Sequence, residues 1–104
     1  MRKYVDETEL INKQDVIKKF NTYSNSILLE DNSEYRLTDV DSLTFSYPNT
    51  EFETWIKLSL KSTGTISISF PSSTKYIGEP PIFSNSQTWE ISIKDGVVAA
   101  WRVS

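Results

Sequence analysis

Two pairs of acidic residues, each separated by a single residue, are the side chains in this sequence best placed for chemistry. Asp39 and Asp41 form one pair, and Glu51 and Glu53 form the other. In an extended strand, such i, i+2 carboxyls project from one face, so a pair could supply the acid and base of a hydrolytic reaction or bind a cation. The same spacing is typical of a solvated strand edge, and the sequence leaves these interpretations open.

The pattern of a calcium-binding loop is not met around these acids. Counted from Asp31, the sixth position is Arg36, where the loop requires glycine, and the twelfth is Ser42, where it requires glutamate. The chain has no Cys and no His, which excludes thiolate and imidazole chemistry and disfavours a zinc or iron site. No phosphate-binding glycine loop and no nucleophile beside a base is present. We therefore expect no enzyme activity, no metal and no cofactor.

Acidic residues are concentrated in the middle of the chain. Residues 30–53 hold seven acidic side chains and one basic side chain, whereas the whole chain of 104 residues has a net charge of −3. Such a segment suits a protein partner with a basic surface, and it disfavours nucleic acid, which binds to concentrated positive charge. The predicted acidic contact residues are Glu30, Asp31, Glu34, Asp39, Asp41, Glu51 and Glu53.

The elements that position these residues are one helix followed by strands. Asn12 suits an N-cap, and apolar residues from Val16 to Tyr23 recur at helical spacing, which predicts an amphipathic helix over about residues 12–24. From Ser26 onward, apolar residues alternate with Ser, Thr and Lys, as in strands with one buried face.

Two hairpins are predicted in the second half of the chain. A three-residue loop ending at Gly64 would pair the strands on either side of it and place their apolar residues on one face. A three-residue loop of residues 94–96 would likewise pair Trp89 with Trp101 in the core. The alternative, a two-residue Asp95–Gly96 turn, would set Trp89 opposite Arg102, so the three-residue loop is preferred.

Two further surfaces are candidates for binding. The polar face of the hairpins carries Lys57, Ser59, Glu90 and Ser92, and Trp55 would be an aromatic anchor on a face that otherwise simply meets water. Residues 71–87 contain three of the four prolines together with Tyr76 and Phe83, and they form either a lid over the core or an exposed contact loop. The predicted contact residues outside the acidic segment are therefore Trp55, Tyr76 and Phe83.

The predicted fold is α+β, with one N-terminal helix packed on an antiparallel sheet of about five or six strands, in a single domain of residues 1–104. An all-β sandwich or small barrel with an appended helix is the alternative. A helix followed by a sheet resembles cystatin-type and small NTF2-like folds in layout, and no family motif accompanies that resemblance.

The composition favours a small, soluble, cytoplasmic protein that acts by occupying the surface of another protein. No membrane-spanning run and no secretory signal is present, and the frequent Lys, Asn, Ile and Ser are typical of AT-rich bacterial genomes. Inhibitors, immunity proteins and accessory proteins of bacteria or phages act in this way. One alternative is a small-molecule-binding or weakly catalytic cystatin-like or NTF2-like domain. Another is a self-assembling structural module, which would form a homo-oligomer.

Overall fold

A computed structural model describes residues 18–20 and 24–104 of the chain. The described residues form β-strands joined by turns and loops, and they contain no helix. The strands are β1 (Lys18–Phe20), β2 (Ser26–Leu28), β3 (Ser33–Val40), β4 (Ser42–Ser46), β5 (Glu53–Leu60), β6 (Ser67–Ser69), β7 (Lys75–Tyr76), β8 (Thr88–Lys94) and β9 (Val97–Arg102).

The first six strands alternate between two sheets, so the chain winds as a solenoid. Strands β1, β3 and β5 are parallel neighbours in sheet A, and β2, β4 and β6 are parallel neighbours in sheet B. Each coil thus contributes one strand to each sheet, and the chain turns a corner between them. Parallel strands cannot be joined by a tight hairpin, and the second strand of each coil provides the connection they need.

Sheet A continues at the C-terminal end with antiparallel strands. Strand β8 pairs with β5, β9 pairs with β8, and the short β7 lies parallel to β9 at the edge, which gives the order β1-β3-β5-β8-β9-β7. The β8–β9 hairpin therefore covers the edge of the last coil in sheet A. This arrangement makes sheet A the larger sheet, with a broad outer face.

The core lies between the two sheets and is filled by alternate residues of the strands. In β5, Thr54, Ile56, Leu58 and Leu60 are buried, and the residues between them face outward. Full burial of one such aliphatic side chain stabilises the fold by about 1.5–3 kcal/mol. The other buried apolar residues are Leu29, Tyr35, Leu37, Val40, Leu43, Phe45, Phe52, Ile91, Ile93 and Val98.

Hydrogen bonds join successive coils outside the strand ladders as well. At one corner the Asn32 N–H donates to the Glu53 carbonyl at 2.7 Å, and at the opposite corner the Lys61 N–H donates to the Val40 carbonyl at 2.9 Å. Inside the stack, the buried Thr54 hydroxyl donates to the Ser33 carbonyl of the preceding coil at 2.9 Å. These contacts fix the vertical alignment of the coils.

The predicted helix over residues 12–24 is wrong where it can be compared with the structure. Residues 18–20 form β1, which pairs in parallel with β3, while residues 12–17 and 21–23 lie outside the described residues. The Phe20 ring stacks on Tyr35 with the ring centroids 4.8 Å apart, so this apolar residue serves a sheet. Short apolar runs fit helical and strand periods equally well, and pairing with β3 decides the outcome.

The α+β class and the antiparallel sheet are therefore corrected to an all-β, solenoid-like arrangement of two sheets with mainly parallel pairing. The alternative of a sandwich or small barrel is also wrong, because it included an appended helix and the described residues form none. The described residues lack the helix on which the resemblance in layout to cystatin-type and NTF2-like folds depended, so that resemblance is wrong.

The predicted hairpin around Gly64 is also wrong. Strand β5 lies in sheet A and β6 in sheet B, so the loop between them is a corner of a coil. Gly64 has the positive φ that was expected, 91°, although its carbonyl accepts a hydrogen bond from the Asn85 side chain at 2.9 Å and closes no hairpin. The inward placement of Ile56, Leu58 and Leu60 is confirmed, because the alternation along one strand does not depend on its partner.

The predicted three-residue loop between β8 and β9 is wrong, because the hairpin has the alternative two-residue turn. Asp95 and Gly96 both have positive φ, 51° and 82°, as a type I′ turn requires, and Trp89 lies opposite Arg102. This turn matches the twist of the paired strands, and the Asp95 carboxylate also accepts the Phe52 N–H at 2.8 Å. The corrected register turns Trp101 from the core to the outer face of sheet A.

Candidate binding groove

The outer face of sheet A contains a groove with two tryptophans and four charged residues in its lining. Its volume is about 270 Å³. Outward-facing residues of β3, β5, β8 and β9 form it, and Ile56 and Ile91 complete the lining. The outward-facing residues are Glu34, Arg36, Trp55, Lys57, Glu90 and Trp101. We refer to these six residues as the tryptophan groove.

Strand register places these six side chains in two neighbouring rows across the sheet. In one row, Glu34 of β3 lies beside Trp55 of β5. In the next row, Arg36 lies beside Lys57, Lys57 beside Glu90, and Glu90 beside Trp101. The rows exist because β3 and β5 are parallel and in register, while β8 and β9 continue the sheet. The tryptophans therefore lie diagonally across the groove.

Trp101 is held in place by its neighbour on β8. Its indole Nε1–H donates to Glu90 Oε1 at 3.1 Å, which draws the ring toward β8, and 48% of the residue surface remains exposed. A ring already oriented by a hydrogen bond loses less conformational entropy when a partner covers it. Trp55, on the far side of the groove, is half-buried. Both residues thus offer aromatic surface from a rigid sheet.

Three of the four charged side chains in the tryptophan groove have a partner within the groove, and one does not. Arg36 and Glu34 form an ion pair at 3.4 Å, and the Glu90 carboxylate accepts the Trp101 indole N–H. Lys57 lies between Arg36 and Glu90 in the row, and its ammonium has no hydrogen bond or ion pair with any described residue. The centre of the groove therefore presents an exposed cation.

Several of the predicted acidic contact residues are occupied by bonds within the molecule. Asp31 Oδ1 accepts the Glu53 N–H at 2.9 Å, and the Asp31 carbonyl accepts the Ser33 hydroxyl at 3.0 Å. At the opposite corner, Asp41 lies 3.6 Å from the Lys61 ammonium. The Asp31 carboxylate therefore links two successive coils by accepting a backbone N–H, and Asp41 links the same coils through an exposed ion pair, which contributes little.

The remaining predicted acids lie at different places on the surface. The Glu30 N–H donates to the Tyr35 hydroxyl at 3.0 Å, just before β3. Asp39 has a φ of 58° at an irregularity in β3. Glu51 is exposed ahead of β5, and Glu53 begins that strand. Of the seven acids predicted as contact residues, only Glu34 belongs to the tryptophan groove.

The two predicted contact residues of the 71–87 segment pack inward. Tyr76 meets Phe70 edge-on at 6.3 Å between ring centroids, and Phe83 meets Trp89 edge-on at 5.1 Å. Both are partly buried against the core. This placement favours the lid interpretation for these rings, while Ile77 and Ile82 of the same segment are exposed.

In the structure, Trp55 and Glu34, which were predicted as contact residues, lie in one groove with residues that were not predicted as contact residues. Lys57 and Glu90 belong to the polar sheet face that was the second candidate surface. Trp101 was assigned to the core because the register of β8 and β9 was wrong. The Asp95–Gly96 pair was the signal available in the sequence, since this dipeptide is among those preferred in type I′ turns.

Within the described residues, no group of three or more acidic side chains is placed to hold a metal ion. Nor do these residues include a helix of the length and apolar character needed to cross a membrane. Comparison of the chain with protein-family models, curated proteins and solved structures found no match.

Proposed function

We propose that this chain is a non-catalytic module that binds another protein through the tryptophan groove. The observation that carries the proposal is the pair of partly exposed tryptophans, Trp55 and Trp101, on one face of a rigid sheet. Tryptophan and arginine are among the residue types enriched at the energetically dominant positions of protein interfaces. Arg36 in the same groove adds the second of these types.

The shape of the groove supports a protein partner in preference to a small molecule. Pockets that enclose a drug-sized ligand typically cover about 70–90% of its surface. The tryptophan groove, at about 270 Å³, lies on the outer face of a sheet. A macromolecule could contact both tryptophans and continue over the polar residues around them, such as Thr38 and Ser59.

We further propose that the module works in the cytoplasm as an inhibitor, immunity or accessory protein. A chain that folds around an apolar core without disulfides suits a reducing compartment. Occupying a partner's surface requires no reactive group, and the hydrogen bond from Trp101 to Glu90 orients one aromatic ring of the groove.

Site-specific photo-crosslinking in cells that naturally express the protein tests this proposal. A benzophenone amino acid replaces Thr38, which is exposed on the outer face of sheet A beside Arg36 in β3. The matched control carries it at Thr44, which is exposed on the outer face of sheet B. We expect a single prominent protein adduct from position 38 and none from position 44.

Adducts from position 44 alone, or equal adducts from both positions, would contradict a binding face on sheet A. An adduct with twice the mass of the chain would instead identify a second copy as the partner and support the self-assembling module. Adding Trp55→Ser and Trp101→Ser to the position 38 variant should abolish the adduct. Circular dichroism spectra, compared with that of the wild type, show whether each variant is folded.

A further inference from the structure

We infer that the tryptophan groove binds an extended segment of its partner that carries an acidic side chain over Lys57 and an apolar side chain against a tryptophan. This inference rests on the proposed function, because it names the chemistry that the same groove selects.

Charge supports an acidic ligand group. Lys57 has no ion pair or hydrogen bond with a described residue, whereas its acidic row neighbour Glu90 already accepts the Trp101 indole N–H and its other row neighbour, Arg36, is also cationic. A carboxylate placed over Lys57 would pair with this ammonium while the Glu34–Arg36 ion pair and the Glu90–Trp101 hydrogen bond stay intact. A charge-assisted bond of this kind, partly shielded from water by the partner, is stronger than a neutral hydrogen bond.

A basic side chain would fit the groove less well. Glu34 already pairs with the Arg36 guanidinium, and Glu90 already accepts the Trp101 indole N–H, so a basic side chain would share a carboxylate that has a partner. It would also approach Lys57, and like charges in contact oppose binding. The basic partner surface expected from the acidic segment is therefore not what this groove selects.

Spacing along the sheet predicts the form of the segment. Trp55 and Lys57 are two residues apart on one face of β5, which separates them by about 7 Å. Side chains two residues apart in an extended peptide have the same spacing of about 7 Å. An acidic residue over Lys57 thus places the residue two positions away beside Trp55, where a proline or aromatic ring can contact the exposed part of the indole.

Selection from a displayed library of random dodecapeptides tests the inference with the full chain as the target. We expect the enriched peptides to share Asp or Glu, with Pro or an aromatic residue two positions away. The best peptide is then synthesised together with its amide version, in which Gln or Asn replaces the acid. Binding of both is measured to the wild-type chain, to Lys57→Met and to Lys94→Met. Lys94 is exposed on the same face of sheet A and does not line the groove.

Lys57→Met should weaken binding of the acidic peptide about tenfold, and the amide peptide should bind the wild type about tenfold more weakly. Because one contact underlies both losses, combining the two changes should cost little more than either alone. Lys94→Met should leave the affinity within about twofold, since an exposed charge outside the contact contributes little.

Two other outcomes would overturn the inference in different ways. Peptides that lose binding to the Trp55→Ser, Trp101→Ser double variant but show no acid preference, or ignore Lys57→Met, would refute the acidic ligand and leave the binding groove standing. If no peptide binds the wild type better than this folded double variant, both the inference and the proposed function fail. Circular dichroism and the urea midpoint show whether each variant is folded.

Discussion

Thr54→Val isolates one contact between successive coils. The Thr54 side chain is fully buried, and its hydroxyl donates to the Ser33 carbonyl of the preceding coil at 2.9 Å. Valine has nearly the same shape as threonine and cannot donate a hydrogen bond. The substitution therefore removes this one hydrogen bond between β3 and β5 without leaving a cavity.

The expected loss of stability follows from the burial of both groups. A net intramolecular hydrogen bond contributes about 0.5–1.5 kcal/mol, and a buried polar group that loses its partner costs about 1–3 kcal/mol. The Ser33 residue is itself fully buried, so water cannot replace the lost donor. We expect the free energy of unfolding to fall by about 1–2 kcal/mol.

Urea unfolding followed by circular dichroism measures this change. With a denaturant dependence of about 2 kcal/mol per molar urea, the middle of the usual range, the midpoint should fall by roughly 0.5–1 M. Thr65→Val, at an exposed position in the corner between β5 and β6, should stay within about 0.5 kcal/mol of the wild type. An unchanged or raised midpoint for Thr54→Val would refute the conclusion that this hydroxyl joins the coils.

Three further predictions concern the core, a turn and the pH dependence of stability. Leu58→Ala should lower the free energy of unfolding by about 2–5 kcal/mol because Leu58 is fully buried, whereas Leu28→Ala, at a residue 62% exposed, should cost less than about 1 kcal/mol in the same urea assay. Gly96→Ala should cost about 1–2 kcal/mol because the turn holds φ at 82°, and an unchanged urea midpoint would speak against the two-residue turn. Burial raises the pKa of the Tyr35 hydroxyl above that in the unfolded chain, so stability should fall as the pH rises above about 10 toward the raised pKa. Tyr35→Phe should lose part of that slope between pH 9 and 11, and an identical slope would contradict a raised pKa.

The positions of most strands and the buried sides of the main ones could be predicted from the sequence. Alternation in Leu43–Phe45 and Ile56–Leu60 identifies the inward face because side chains on a strand alternate whatever the strand pairs with. Pairing could not be derived in the same way. The short connection through Gly64 was compatible with a hairpin, and only the placement of β6 beside β4 identifies it as a corner.

The coil lengths explain why no internal repeat is visible in the sequence. Equivalent positions of sheet A advance from residue 18 to 33 and then from 33 to 54, so the spacing is not constant. Sequence self-similarity, the usual signal of a solenoid, depends on a fixed period. The irregular corners therefore conceal the stacking of β1, β3 and β5.

The candidate site could be predicted only in part for a related reason. Trp55 was selected because it begins an alternating strand with a polar outer face. Trp101 was missed because a shift of one residue in the β8–β9 register exchanges the two faces of β9. The acidic residues drew attention by their number, whereas the bonds of Asp31 and Asp41 to neighbouring coils depend on the stacking that the sequence conceals.

The most direct test of the proposed binding face compares two variants against the partner identified by crosslinking. Calorimetry would measure the dissociation constant for the Trp55→Ser, Trp101→Ser variant and for Glu51→Lys, which reverses an exposed acid outside the tryptophan groove. If each tryptophan contributes about 1.4 kcal/mol or more to the binding free energy, the double variant should bind at least about 100-fold more weakly than the wild type. The affinity of Glu51→Lys should stay within about threefold of the wild type. A double variant that binds like the wild type, with affinity lost in Glu51→Lys, would contradict binding through the tryptophan groove.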